Sequence, residues 1–253
     1  MPKITEKFSV NEVAKILWAA QELYPKMLAP LAIKIFAGIR NPELFGLEWE
    51  SIVDDSIVVL ATFAKTQRQR SVTIQKPLKS WLQKAIDLKA REDADLAAEE
   101  KGKPKSKAPP KGPTPTIKGL VFAVTPEKQD REAIWLEQIQ LIKLASGVSN
   151  WPQNILRSTF GSYHYQLVKN EAVTAYEMGN SPSVVRRHYV NAVTEKACKA
   201  FWDLTPAREE VIMNSTPPDP SAPPPPSELI EQHPEEDWAE EDLNPKISKR
   251  SQK

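Results

Sequence analysis

The sequence predicts a mainly helical domain with a small antiparallel β-sheet, an α+β fold. Helices are indicated by apolar residues that recur at helical spacing behind N-terminal caps. Ser9 and Glu12 form a capping-box pattern, and the apolar residues that follow at helical spacing are Val13, Ile16, Leu17 and Ala20. The sheet is indicated by two segments rich in β-branched residues, 57–63 and 70–74, which flank a polar stretch and are typical of a hairpin.

Proline, glycine and capping residues mark the ends of the other predicted helices. An apolar helix at about residues 27–37 ends at Gly38, and Asn41-Pro42 then begins a short helix as N-cap and N1. Arg40 therefore falls in the turn between two helices, at a fixed junction rather than on a flexible loop. Further helices are predicted at about 77–100, at about 126–145, after Trp151-Pro152 to carry Arg157, after Ser181-Pro182 to lead to Tyr189, and after Thr194.

Composition divides the 253 residues into a folded part and a tail. Residues 1–205 carry 29 Lys and Arg against 22 Asp and Glu, a net charge of +7, whereas residues 206–253 carry 5 against 11, or −6. The tail is rich in proline and acidic residues and cannot bury enough apolar surface to offset its ordering entropy, so we expect it to be disordered. A basic, proline-rich stretch at about 101–117 is predicted to be a solvated insertion within the domain.

Residue counts exclude several classes of protein and site. The single cysteine, Cys198, allows neither an internal disulfide nor a cysteine-based zinc site, and it fits the reducing cytoplasm. The three histidines lack metal-ligand spacing and no glycine-rich phosphate loop is present, so we expect no metal or other cofactor. The longest apolar run, 57–64, is too short to span a bilayer, so no membrane partner is expected. The basic folded part suits a nucleic-acid backbone, although ordinary solvated surface charge would look the same.

Arg40, Lys65, Arg157 and Tyr189 carry the functional groups that phosphoryl transfer on DNA requires. Two guanidiniums can clamp a phosphodiester, because arginine presents a rigid bidentate fork to phosphate oxygens. An ammonium can give a proton to a leaving oxygen, and a phenol held in place is a competent covalent nucleophile. Together these residues predict cleavage of a phosphodiester through a covalent intermediate.

Four local patterns, in order and in spacing, resemble the catalytic domain of the tyrosine recombinases, the phage-integrase family. Residues 38–44, GIRNPEL, resemble the first arginine box of that family, G-[LI]-R-x-x-E-[LI]. Residues 154–157, NILR, resemble its H-x-L-R box, and residues 178–182, MGNSP, resemble its L-G-H-[ST] box. Tyr189 follows Asn180 by nine residues, as the nucleophile does in the family. The resemblance runs from about residue 8 to about residue 204.

The resemblance implies DNA breakage and rejoining. According to this resemblance, Tyr189 attacks a phosphodiester and becomes linked to the 3′ phosphate, and Lys65 protonates the 5′ oxygen that leaves. Arg40 and Arg157 neutralise the charge that builds on the pentacoordinate phosphorus. The phosphotyrosyl bond conserves the energy of the broken link, so rejoining needs neither ATP nor a metal.

Asn154 stands where the family most often has histidine, and Asn180 replaces the histidine or tryptophan of the third box. Asparagine can hydrogen-bond a phosphate oxygen, but it cannot transfer a proton near neutral pH as imidazole can. The clamp, the acid and the nucleophile are therefore kept, whereas the general base is not. Two alternatives to a site-specific recombinase follow: a non-catalytic, DNA-binding relic of an integrase, and a type IB topoisomerase, which uses similar chemistry without partner exchange.

Double-stranded DNA is the implied partner, with a homo-oligomer, a tetrameric synapse in the family, assembled on it. The family hairpin puts its lysine into the minor groove beside the cleavage site, so Arg68 and Arg70, which follow Lys65, are predicted to bind DNA. Taken alone, a hairpin tip rich in lysine and arginine is also typical of a turn that is simply exposed to solvent. Family members usually carry a helical core-binding domain ahead of the catalytic domain. Here the first arginine box begins about 37 residues into the chain, so we expect that domain to be missing and autonomous site recognition to be weak.

Overall fold

Helices precede and follow a small sheet in a computed structural model, which describes residues 6–64, 68–100, 117–123, 130–190 and 192–215. Short 3-10 turns, Pro25–Met27 and Trp49–Ser51, lie before the second helix and before the sheet. In chain order the elements are α1 (Val10–Leu23), α2 (Leu28–Phe36), α3 (Asn41–Phe45), β1 (Ile52–Val53), β2 (Ser56–Val59), β3 (Arg70–Thr73), α4 (Lys76–Glu100), α5 (Arg131–Ser146), α6 (Ile155–Val168), α7 (Glu171–Met178), α8 (Pro182–His188), α9 (Glu195–Trp202) and α10 (Pro206–Ser215). The predicted fold class is confirmed. Within those ranges, no helix is long and apolar enough to cross a bilayer.

The predicted capping box begins α1. The Ser9 hydroxyl accepts a hydrogen bond from the backbone N–H of Glu12, and the Glu12 carboxylate accepts one from the backbone N–H of Ser9. Every residue of α2 is buried, Lys34 among them, so α2 forms the centre of the domain. α3 begins at Asn41 with Arg40 as its N-cap, one residue earlier than predicted, and the backbone of Arg40 is extended there.

The sheet is antiparallel, in the order β1-β2-β3. Ile57 lies opposite Val72 and Val59 opposite Arg70, and all four side chains are buried. The predicted hairpin is confirmed, but β2 ends at Val59 instead of residue 63. The chain turns at residues 61–63, and the ring of Phe63 packs on Gly46, where a Cβ would lie 2.5 Å from the ring. β1, only two residues long, shows no alternation by which the sequence could predict it.

Aromatic packing fixes α6 against α9 in the core. The rings of Tyr163 and Phe201 stack with centroids 4.0 Å apart, and Phe36 of α2 lies 5.0 Å from Phe201. The Tyr163 hydroxyl donates to the carbonyl oxygen of Phe8, ahead of α1. Both α6 and α2 are therefore held by the same cluster, and each presents one end to the candidate site.

Two predicted helices begin later than the sequence indicated. α5 begins at Arg131, where the Asp130 carboxylate caps two backbone N–H groups, and residues 126–129 of the predicted helix lie outside the described residues. α6 begins at Ile155 rather than at Pro152, because Asn154 has a left-handed backbone with φ +64°. A helix cannot pass through that conformation, so Arg157 lies in the first turn of α6.

The domain extends beyond the predicted boundary at residue 205. α10 begins at Pro206, and its Ile212 packs against the core, chiefly beside α1. Proline is favourable at the first position of a helix, and Pro206 occupies that position in α10. Residues 216–253 of the predicted tail lie outside the described part, as do residues 101–116 of the predicted insertion.

We predict that α10 stabilises the domain measurably. A chain ending at Thr205 should be less stable than a chain ending at Ser215 by about 1–2 kcal/mol, since the burial of Ile212 is lost. The midpoint of thermal unfolding should fall by roughly 2–8 °C. Comparing the two truncated chains isolates residues 206–215, and equal midpoints would show that α10 contributes nothing.

Candidate active site

Three arginines converge on the C-terminal end of α7. The last carbonyl groups of a helix have no partner within it, and they carry the negative end of the helix dipole, so they favour cations. Here the carbonyls of residues 177–179 each accept a hydrogen bond from a guanidinium. The donors are Arg70 to Glu177 at 2.9 Å, Arg157 to Met178, and Arg40 to Gly179 at 2.5 Å.

Two glycines with left-handed backbones make this convergence possible. Gly179 ends α7 with φ +61°, and a Cβ on it would lie 3.0 Å from a nitrogen of both Arg40 and Arg70. Gly38 also has φ +61°, and its carbonyl accepts a hydrogen bond from Arg157. A Cβ on Gly38 would lie 2.3 Å from the ring of Phe160. Glycine adopts this backbone without strain, so both glycines are required by conformation and by space.

Glu43 is the carboxylate within this cluster, and it is fully buried. Both its oxygens accept hydrogen bonds from Arg70, at 2.9 and 2.7 Å, and they also accept from the side chain and backbone N–H of Arg40. Burial alone would raise the pKa of Glu43, but the hydrogen bonds from Arg70 and from the Arg40 backbone outweigh it and lower that pKa. Glu43 therefore stays ionised and fixes both arginines.

The sequence predicted that Arg70 binds DNA beside the hairpin tip, but the structure buries this side chain within the domain. Its side chain is 5% exposed, and all three of its nitrogens donate to Glu43 or to the end of α7. The signal was available in the alternation of β3, where Arg70 shares the inward face with Val72. Arg68 is exposed, and Lys65 lies outside the described residues. The role of Arg70 is structural: it holds Glu43 in place.

Arg40 and Arg157 meet at one oxygen atom. The Nη2 atoms of the two guanidiniums donate to Oδ1 of Asn180, over 2.8 and 3.1 Å. The amide NH₂ of Asn180 then points away from the arginines and has no acceptor in the described part of the chain. Among the described residues, hydrogen bonds use three of the five N–H donors of each arginine. Two donors on each guanidinium remain for a further oxygen ligand.

Tyr189 lies on the same face of α6 as Arg157. It caps the C-terminal end of α8, and its ring packs on Gly161, where a Cβ would lie 3.0 Å from Cε2. Gly161 is four residues after Arg157, so the two lie on one helical face. The side chain of Tyr189 is mostly buried, and its hydroxyl has no hydrogen-bond partner among the described residues. His188 does not stack on it, since the two ring centroids lie 6.1 Å apart and the rings are tilted.

Burial and neighbouring charge act together on Arg157. Burial, followed by repulsion from Arg40, lowers the pKa of Arg157 to about 9, while Glu43 and Tyr189 act in the opposite direction. The guanidinium therefore remains protonated at neutral pH.

Asn154 lies apart from the arginine cluster, at the exposed N-terminus of α6. Its left-handed backbone is one that asparagine tolerates better than most residues, and its side chain makes no capping hydrogen bond. The side-chain amide is free to contact a ligand, but it contacts neither arginine in this structure. Of the six predicted catalytic residues, the structure brings together Arg40, Arg157, Asn180 and Tyr189.

Lys34 is a buried cation that the sequence analysis missed. It is 4% exposed, and its Nζ donates to Oδ1 of Asn41 at 2.6 Å. Burial, and then repulsion from Arg157, lowers the pKa of Lys34 to about 7; Glu43 raises it and Arg40 lowers it. A lone lysine within the apolar segment of α2 was the available signal.

The chain has the fold of the tyrosine recombinase catalytic domain. The XerA recombinase is similar to it with a TM-score of 0.53 and 15% identity, over 87% of this chain and 68% of that chain. Two structures of the XerH site-specific recombinase bound to difH substrates, a post-cleavage and a pre-cleavage complex, match 73% of this chain at 17% identity with TM-scores of 0.51 and 0.50. This chain spans about half of the XerH chain, 49% and 50%. No protein-family model and no curated protein sequence matches it.

We predict that Glu43→Gln destabilises the domain by about 3 kcal/mol, because breaking a buried ion pair leaves Arg70 without a counter-charge. The free energy of unfolding from urea titrations at pH 7 is the measurement. Glu48→Gln, a change at an exposed carboxylate on the same segment, is the matched control and should be nearly neutral.

We also predict a difference in acid stability between wild type and Glu43→Gln. The pKa of Glu43 is lower in the folded chain than its ordinary value of 4.5, so its contribution is present above that value and is lost as the pH falls through the folded-state pKa. Wild type should therefore lose more stability than Glu43→Gln between pH 6 and pH 3. Burial raises the pKa of Glu177, which acts in the opposite direction, but Glu177 is common to both proteins. Parallel acid profiles would contradict the ion pair.

Proposed function

We propose that this chain breaks and rejoins DNA strands through a covalent 3′-phosphotyrosyl intermediate. The observation that carries the proposal is that guanidiniums from two distant segments, Arg40 and Arg157, donate to one oxygen atom on the face of α6 where Tyr189 packs. Two cations that share an oxygen ligand, with two further donors each, suit the non-bridging oxygens of a phosphodiester. A phenol beside them suits nucleophilic attack on the phosphorus.

In the proposed reaction the Tyr189 oxygen attacks phosphorus, its phenolic proton passes to water, and the bond from phosphorus to the 5′ oxygen breaks. Arg40 and Arg157 neutralise the negative charge that builds on the non-bridging oxygens of the pentacoordinate phosphorus, and the amide NH₂ of Asn180 donates a hydrogen bond to one of these oxygens. Lys65 protonates the departing 5′ oxygen. The reverse reaction, attack of a 5′ hydroxyl on the phosphotyrosyl bond, rejoins the strand.

Double-stranded DNA is the proposed partner, and a homo-oligomer on DNA is the proposed assembly. The exposed Arg68, next to the hairpin tip, adds a phosphate contact beside the reacting group. Site-specific recombination is the finer proposal, and the recombinases to which the chain is similar support it. Location in the cytoplasm, on the nucleoid, is part of the same proposal.

A non-catalytic DNA-binding protein is the second candidate. The observation that favours it is that no imidazole of the described residues contacts the arginine cluster: Asn180 takes the place of the third-box histidine, and the buried His164 hydrogen-bonds Thr174 instead. Burial lowers the pKa of His164 to about 4, so its ring is neutral at physiological pH. Such a protein would bind DNA with the same clamp and form no covalent bond.

We predict that Tyr189→Phe abolishes a covalent DNA adduct and leaves DNA binding unchanged, because only the hydroxyl is lost and the packing on Gly161 is kept. The substrate is a pool of nicked duplexes of random sequence, from which the short 5′-hydroxyl fragment diffuses away after cleavage. The adduct is detected on a denaturing gel. Tyr176→Phe, at a tyrosine that is 59% exposed, is the matched control and should keep the adduct.

The position of the label tests the polarity of the bond. A label at the 5′ end of the cleaved strand should stay with the protein, whereas a label at its 3′ end should not. An adduct that survives in Tyr189→Phe would reject this nucleophile. DNA binding by wild type with no adduct would establish the non-catalytic candidate, and relaxation of supercoiled plasmid without strand exchange would favour a topoisomerase.

A further inference from the structure

The ammonium group of Lys34 is under-satisfied where it lies. An ammonium has three N–H donors, and in the described part of the chain Lys34 uses one of them, to Asn41. Its charged neighbours are mainly cations: Arg157 and Arg40 repel it, and Glu43 attracts it while already engaged by two arginines. A buried charge is costly unless it is paired. An apolar residue would stabilise the core of α2 better than this lysine does.

Lys34 opens into a cavity of about 280 Å³ between α2, α5 and the N-terminus of α6. Water occupies about 30 Å³, so the cavity holds a phosphate group together with several waters. Asn41 and Asn154 contribute amide groups to its lining, and Ile155 and Leu156 begin the 14-residue α6 there. The first turn of a helix presents unpaired N–H groups and the positive end of the dipole.

The charges around this cavity favour an anion. α5 contributes one lysine and one glutamate to its lining, Lys143 and Glu132, which offset each other. Lys34 and the N-terminus of α6 then leave a positive excess. Behind Lys34, the described carboxylate that pairs with the cluster of Arg40, Arg70 and Arg157 is Glu43, one negative charge against three positive charges. An anion in the cavity would complete the hydrogen bonds of Lys34 and reduce the repulsion among these cations.

We propose that this cavity, hereafter the Lys34 cavity, is a second phosphate-binding site, which takes a phosphate of the DNA strand next to the one held by Arg40 and Arg157. Asn154, exposed at the mouth of the cavity, contacts the same phosphate. The proposal rests on the proposed function for the source of the phosphate, and on Lys34 and its cavity for the site itself. Lys34 thereby supplies a positive charge near the position where the resembled family has histidine.

The experiment is DNA binding by wild type, Lys34→Met and Lys34→Gln, measured by fluorescence anisotropy over a range of salt concentrations. Lys34→Met should bind about tenfold more weakly, as for the loss of one charged hydrogen bond. The slope of log affinity against log salt should be smaller by about one, because one phosphate contact is lost. Lys199→Met, which removes an exposed lysine from α9, is the matched control and should leave the slope unchanged.

A pH series separates the Lys34 cavity from general charge effects. Phosphate prefers the protonated amine, and the pKa of Lys34 is about 7, so wild-type affinity should fall as the pH rises through that value. Lys34→Met should lose this component, whereas the Lys199→Met control should keep it. Thermal unfolding checks the fold: Lys34→Met should be no less stable than wild type, because a buried charge is removed. Lys34→Gln keeps a polar group beside Asn41 and should show the same loss of binding.

Inorganic phosphate distinguishes the two sources of the ligand. If it raises the unfolding midpoint of wild type but not that of Lys34→Met, the cavity also takes free phosphate. If Lys34→Met has a smaller salt slope than wild type, and inorganic phosphate does not raise the unfolding midpoint of wild type, the site is specific for DNA phosphate. Equal salt slopes and pH profiles in wild type and Lys34→Met, with no phosphate effect, would overturn the proposal. The adduct assay on Tyr189 is independent, so a failure here is distinguishable from a failure of the proposed function.

Discussion

The binding of three guanidiniums by the end of α7 is the interaction on which the candidate site depends. It joins α3, β3, α6 and α7, segments that lie up to about 140 residues apart in the chain. Carbonyl groups that would otherwise lack partners accept from arginines that would otherwise be buried without acceptors. Each group therefore offsets the desolvation cost of the other. Because Glu43 neutralises only part of the charge of the three guanidiniums, the cluster keeps a positive excess that a phosphate can neutralise.

A site built on carbonyl ligands is rigid before any ligand arrives. Arg40 and Arg157 each make three hydrogen bonds to the protein, so their side-chain entropy is already lost. Fixed dipoles and charges stabilise a transition state with little reorganisation, and this is the largest contribution in many enzymes. Glu43, Arg70 and the two left-handed glycines contribute to such rigidity. In the proposed reaction they position Arg40 and Arg157.

Local patterns predicted the residues whose roles are local, and they missed those that depend on the tertiary fold. The junction at Arg40 and the end of α8 at Tyr189 follow from caps, prolines and glycines within a few residues. Arg70 was misassigned because a strand end and a hairpin tip look alike until the pairing with β2 fixes which face is inward. Lys34 was missed because nothing within α2 shows that Arg157, more than a hundred residues later, lies beside it. α6 begins later than predicted because of one backbone angle at Asn154, and the sequence alone does not reveal that angle.

The amide oxygen of Asn180 accepts hydrogen bonds from two cations, while its NH₂ group has no acceptor among the described residues. A carboxylate of the same shape would behave differently. If Asn180 lost ammonia and became aspartate, the new negative charge would lie between Arg40 and Arg157 and neutralise them from within. It would also replace the outward donors by an oxygen that repels phosphate. A single hydrolysis at the side chain of Asn180 would thus convert the proposed phosphate site into a closed internal salt bridge, and the proposed activity would then decline as the protein ages.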